Sequence, residues 1–266
     1  AWHTAWMGIT PTAPMILLAG DSIASGYART WFTGDATCRD ADYSFGATVR
    51  ESVAATLPAA WAPDYVNVAF PGAGMSSVID GGSDSCSDVY PSQIDDIERY
   101  ADPTTWNVVV VTAGINSTNW AEVVQELTKD TALSWTKAGD KLACQAAITD
   151  RWNLSDRRDQ ITAGASEIIQ AIRSRVNASV YWASYFAIDG TMIAPGWSPI
   201  GPECAEEMES ALGELHGAIQ AGLDQDVTWV DVDDLPINTQ MWAGWPHPNP
   251  EGHRTIGLAV AQAITR

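Results

Sequence analysis

Positive charge is scarce in this chain. Its 14 Lys and Arg residues are outnumbered by 33 Asp and Glu, for a formal net charge of −19. Only three of the cations are lysines, at 129, 137 and 141. No basic patch is available to neutralise phosphates, which excludes nucleic acid and anionic membrane surfaces as partners. Long apolar runs are missing too. The longest, 14–19 and 108–113, fall well short of the ~20 residues a membrane-spanning helix needs. No Cys-x-x-Cys pair and no Cys/His zinc spacing occurs, so neither a metal nor another cofactor is expected. Gly-x-Ser-x-Gly, the usual α/β-hydrolase elbow, is absent. Internal repeats, low-complexity tracts and linkers are absent as well, and residues 1–266 read as one domain.

Cysteine is sparse but even in number, with four residues at 38, 86, 144 and 204. Wide, even spacing points to two disulfides formed in an oxidising compartment. Of the three pairings possible for four cysteines, Cys38–Cys86 with Cys144–Cys204 is the one expected, because each joins neighbouring segments. The chain starts at Ala1-Trp2 without a leader, and the expectation is a mature, secreted, monomeric protein.

What the chain does contain is alternation. Five apolar, β-branched runs, 14–19, 65–70, 107–113, 179–186 and 227–232, read as buried strands. Helical patterns lie between them. Phe45, Val49, Val53 and Leu57 share one helical face within 43–57. Ile161, Ile168, Ile169, Ile172 and Val176 do so within 158–176, and Met208, Leu212, Leu215 and Ile219 within 204–223. A last helix starts near Pro250-Glu251, and the polar stretch 117–156 reads as an insertion pinned by Cys144. Strands alternating with helices imply a parallel sheet covered on both faces.

The first strand runs straight into Gly20-Asp21-Ser22. A serine at the carboxyl end of a parallel strand stands where open α/β sheets bind ligands. Opening a short helical turn, Ser22 presents its backbone N–H to a developing oxyanion. Gly72, in the turn after the second strand, and Asn116, after the third, supply further donors of the kind an oxyanion hole uses. Near the far end, WPHPNPEGH fixes His247 between two prolines, so Ser22 and His247 form a nucleophile and general-base pair. His253, inside the last helix, reads as structural, and His3 and His216 have no supporting context. Among the thirteen tryptophans, Trp120, Trp242 and Trp245 lie beside these segments and are expected to line a substrate cleft, whereas Trp182 and Trp229 are expected in the core.

These blocks resemble the SGNH, or GDSL-type, hydrolase family: GDSIASGY with Ser22, AFPGAG with Gly72, AGIN with Asn116, and HPNPEGH with His247, in family order over nearly the whole chain. The Trp-rich opening and Cys38-Arg39 followed by Tyr43 are similar to secreted actinobacterial esterases and lipases. The resemblance implies a flavodoxin-like three-layer α/β/α sandwich on a five-stranded parallel sheet. It also implies a serine carboxylester hydrolase, with Ser22 as nucleophile, His247 as base, and an oxyanion hole of Ser22, Gly72 and Asn116. Family members usually carry an aspartate three residues before the histidine, and some use a backbone carbonyl instead. Here Gly244 stands in that place, so its carbonyl is the expected orienter of His247, with Asp231, Asp233, Asp234 and Glu251 as substitutes. An acyl ester is the expected substrate. A carbohydrate O-acetyl esterase, an acyltransferase and a non-catalytic glycan- or lipid-binding protein are the alternatives.

Overall fold

The computed structural model describes residues 13–29, 36–37, 42–83, 88–123, 144–146, 148–152, 154–187, 202–235, 242–244 and 247–266. Each expected run becomes one strand of a parallel sheet. These are β1 (Met15–Gly20), β2 (Asp64–Asn67), β3 (Asn107–Thr112), β4 (Ala178–Ala183) and β5 (Thr228–Val230). They lie in the order β2-β1-β3-β4-β5, every neighbouring pair parallel. β3 is buried at every position, as a central strand covered on both faces must be.

This order is the flavodoxin-like one. The chain leaves β1 for β2 on one side and returns past it to β3 on the other. The carboxyl ends of β1 and β3 therefore flank the point where the connections diverge, which is where such sheets bind ligands.

The helices are α1 (Ser22–Ser25), α2 (Phe45–Ala54), α3 (Met75–Asp80), α4 (Gln93–Tyr100), α5 (Leu154–Arg175), α6 (Pro202–Gly222) and α7 (Pro250–Thr265). α2 packs against α7, while α5 packs against α3, α4 and α6. The two groups are the outer layers of a three-layer α/β/α sandwich. Side chains set several helix starts. Ser44 accepts the Gly46 N–H to open α2, Ser92 accepts the Asp95 N–H to open α4, and Asn249 accepts from Glu251 and Gly252 to open α7. No described helix is long and apolar enough to cross a membrane.

The Cys144–Cys204 disulfide is present, with Cα atoms 5.4 Å apart, and it ties the residues around 144 to α6. Cys38 and Cys86 lie outside the described residues. Past the sheet, β6 (Trp242–Gly244) and β7 (His247–Pro248) form an antiparallel hairpin.

Candidate active site

Ser22 is the first residue of α1, set at the end of β1. The helix cap is not Ser22 but Asp21, whose Oδ1 accepts the Ile23 N–H at 3.0 Å. The serine is thereby spared the ordinary capping role that a Gly-Asp-Ser sequence offers. Gly26, at φ +75°, closes the turn, and the Tyr27 N–H returns to the Ser22 carbonyl at 3.1 Å. Both neighbouring strands hold the bend. The Asp21 N–H donates to Thr112 O of β3 at 3.0 Å, and the Phe70 N–H, just past β2, donates to Gly20 O at 3.3 Å. Asn67 adds a third tie, donating from Nδ2 to the Ala24 carbonyl at 3.0 Å.

Asp21 is wholly buried, and its second carboxyl oxygen lies 2.5 Å from the Tyr185 hydroxyl. Burial pushes the Asp21 carboxyl up to about 7, while the hydrogen bonds from Tyr185 and Ile23 pull it back down. Tyr185 is raised well above the usual phenol range, first by burial and then by the Asp21 charge, so it stays a neutral O–H donor.

Ser22 lies between the other two candidate segments, because β2 and β3 flank β1. Gly72 sits in the turn after β2 with φ +81°, exposed. Asn116 sits in a 3₁₀ turn, Ile115–Ser117, after β3. Its Nδ2 is 3.4 Å from the Ala73 carbonyl, a long contact that leaves the amide donor weakly engaged. Ser117 secures the two turns to each other by accepting the Met75 N–H at 2.8 Å. Gly72 and Asn116 share the wall of one cavity of about 340 Å³ with Ser77, Arg157, Gln160 and Glu167. Arg157 holds that wall in place by donating to the Ser117 carbonyl at 2.9 Å. Ser22 and His247 are not among the described lining residues.

His247 stands on β7, directly paired across the hairpin with Gly244. β7 packs against α1, the helix that begins at Ser22, and the His247 ring meets Tyr27 edge-on at 4.7 Å. No hydrogen bond among the described residues joins Ser22 to His247; the fold supplies the adjacency of their elements. Asp233 faces a different histidine, with Oδ2 3.8 Å from His216 Nδ1, and Asp231 accepts the Asp233 N–H and faces Ser184.

Two readings change with the structure, those of Trp120 and His216. Trp120 is 5% exposed and packs edge-on against Trp152 at 4.6 Å, so it belongs to the core and not to a cleft wall. Trp245 lies outside the described residues, and Trp182 is buried in the core as expected. His216, without context in the sequence, is buried in the polar cluster behind the site. Its Nε2 accepts the Tyr185 N–H at 3.2 Å, and its ring lies parallel to that of Tyr185. Burial holds its imidazole down to about 4, with Asp231 opposing, so the 3.8 Å approach to Asp233 is a contact of a neutral ring and not an ion pair. The signal was present: His216 lies four residues after Leu212 and three before Ile219, on the core face of its helix. His253 is structural, as expected. It is 1% exposed, neither ring nitrogen has a hydrogen-bond partner among the described residues, and Tyr43 packs edge-on against it. Burial, with His247 nearby, holds it down to about 3.

The profile of the GDSL-like lipase/acylhydrolase family matches residues 18–255. No curated protein matches the chain. Solved structures with the same fold include an extracellular lipase from Streptomyces rimosus, at 16% identity and TM-score 0.59, covering 96% of this chain and 100% of that one. A phospholipase A1 from Streptomyces albidoflavus aligns at 14% identity and TM-score 0.54, with 96% and 100% coverage. An aryl esterase from M. smegmatis aligns at 16% identity and TM-score 0.51, with 95% and 99% coverage.

Proposed function

This chain belongs to the GDSL-like lipase/acylhydrolase family and is a carboxylic ester hydrolase, and from that premise we propose that it works through an acyl-enzyme on Ser22 with His247 as general base. One observation carries the reading. Three adjacent strands deliver Gly72, Ser22 and Asn116 to the same sheet edge, with Ser22 in the middle and the His247 hairpin packed on its helix.

In this scheme Ser22 Oγ attacks the ester carbonyl carbon while His247 takes the hydroxyl proton. The carbonyl oxygen, now an anion, is received by the N–H of Ser22, the N–H of Gly72 and the Asn116 amide. The tetrahedral intermediate collapses, breaking the bond to the alcohol oxygen, and His247 returns its proton to that oxygen. Water, deprotonated by His247, then attacks the acyl carbon, and Ser22 leaves with the proton. No carboxylate stands three residues before His247, so the Gly244 carbonyl across the hairpin is the proposed acceptor for the Nδ1–H. A neutral acceptor fixes the tautomer but stabilises the imidazolium less than a carboxylate would.

The substrate reading is an acyl ester, and the protein is read as a secreted monomer of one domain, 1–266. The Cys144–Cys204 bridge supports an oxidising compartment. A second reading, a carbohydrate O-acetyl esterase, draws on the cavity beside Gly72 and Asn116. Ser77, Arg157, Gln160 and Glu167 give its described wall a hydroxyl-binding character. Hydrolysis of p-nitrophenyl acetate, butyrate, octanoate and palmitate, with acetate release from acetylated xylan alongside, tests both. Hydrolysis that extends to the longer p-nitrophenyl esters, with no release from xylan, supports the first. Efficient release from xylan with acetate alone accepted among the p-nitrophenyl esters supports the second.

A further inference from the structure

Resting on the Ser22–Asn116 reading above, we propose that Tyr185 is a positioning residue that couples the nucleophile turn to the oxyanion turn. It touches neither reacting atoms nor substrate.

The argument begins with the capacity of a phenol. A tyrosine hydroxyl has one proton to give and lone pairs to receive with. At Tyr185 the proton goes to Asp21 Oδ2, 2.5 Å away, and the oxygen receives the Ile115 N–H at 3.1 Å. Asp21 in turn accepts the Ile23 N–H through its other oxygen at 3.0 Å. The result is a continuous path of hydrogen bonds from Ile23 N–H to Asp21, to Tyr185, to Ile115. Ile23 follows Ser22, and Ile115 precedes Asn116. One phenol thus spans the two segments whose spacing decides whether nucleophile and oxyanion donor meet the same carbonyl.

The phenol itself is held from behind. Tyr185 follows β4, is 3% exposed, donates its backbone N–H to His216 Nε2 at 3.2 Å, and has its ring parallel to the imidazole. A buried, fully satisfied path of this kind resists small displacements, because any slip leaves a polar group unpaired in a low-dielectric interior. Rigidity matters here because oxyanion donors act on charge that exists only in the transition state.

The test compares Tyr185→Phe, Asn116→Ala, the double variant and Ser22→Ala on p-nitrophenyl butyrate, with folding checked by circular dichroism and thermal unfolding. For Tyr185→Phe, KM stays within about twofold and kcat falls roughly 10- to 100-fold, less than the loss of an oxyanion donor outright. The losses from Tyr185→Phe and Asn116→Ala fail to multiply, and the double variant stays within about threefold of Asn116→Ala alone. If Tyr185→Phe does not fold, Asp21→Asn breaks the same path from its other end and is read by the same split. An unchanged kcat in a folded path variant, or losses that multiply in full, overturns the inference while an inactive Ser22→Ala leaves the dyad standing. An active Ser22→Ala overturns the reading beneath it.

Discussion

The side chain of Gln93 grips both polar atoms of the Gly20 peptide. Its Oε1 accepts the Gly20 N–H at 2.7 Å and its Nε2 donates to the Gly20 carbonyl at 2.9 Å, with Gln93 only 1% exposed. A carboxamide used in this way acts as one more ladder rung at the end of β1, two residues before the nucleophile. Gln93 is the first residue of α4, directly after the Ser92 cap, so that helix start is tied to the end of β1.

Gln93→Ala is expected to leave the buried Gly20 N–H without a partner. The cost is about 1–3 kcal/mol of stability, with a fall in kcat beyond any loss of folded protein. Urea unfolding and active-site titration measure the two effects separately. A variant with unchanged midpoint and turnover would show that the bend before Ser22 is held without it.

Gly20 itself cannot carry a side chain. Its φ of +134° lies outside the range of L residues, and an added Cβ would collide with the backbone oxygen of Thr112. Gly20→Ala therefore has to move β1 away from β3 at the site. We expect a loss of at least about 2 kcal/mol and near-complete loss of activity, read by thermal unfolding and ester hydrolysis. Near-native stability in Gly20→Ala would contradict this.

Asp21 gives the pH dependence of stability a definite sign. Its folded-state pKa is about 7, above the ordinary 3.8, chiefly because of burial. Between those values the folded chain keeps a proton that the unfolded chain has released, so stability from this group falls as pH rises. The contribution approaches about 1.4 kcal/mol per pH unit inside that window. His216 and His253, lowered by burial, act in the opposite sense: their stabilisation is present above the unfolded histidine range and is lost as pH falls toward about 4 and about 3. Urea midpoints of wild type and Asp21→Asn at pH 5 and 7 isolate the aspartate, with wild type losing more stability over that interval. Parallel profiles would contradict the assignment.

The sheet was legible in the sequence because β-branched runs such as VVVV at 108–111 leave few alternatives to a buried parallel strand. Strand ends were less so. The run 179–186 extends past β4, and its last residues leave the ladder to bring Tyr185 over the sheet edge. α4 escaped notice because eight residues with two buried isoleucines, Ile94 and Ile97, make a weak periodic signal. At the site, Ser22, Gly72, Asn116 and His247 stood out as residue types at strand or loop ends. Asp21, Gln93, Tyr185 and His216 did not, because their importance lies in mutual burial and hydrogen bonding across long sequence separations. Trp120 misled for the same reason: proximity to Asn116 in sequence says nothing about which way an indole packs.

The central claim is that Ser22 is the covalent nucleophile. The most direct measurement is reaction with a fluorophosphonate, followed by mass mapping of the labelled peptide in wild type and Ser22→Ala. The account predicts one adduct, on Ser22, formed in step with the loss of esterase activity and absent from the variant. An adduct on another residue, or ester hydrolysis by Ser22→Ala at the wild-type rate, would contradict it.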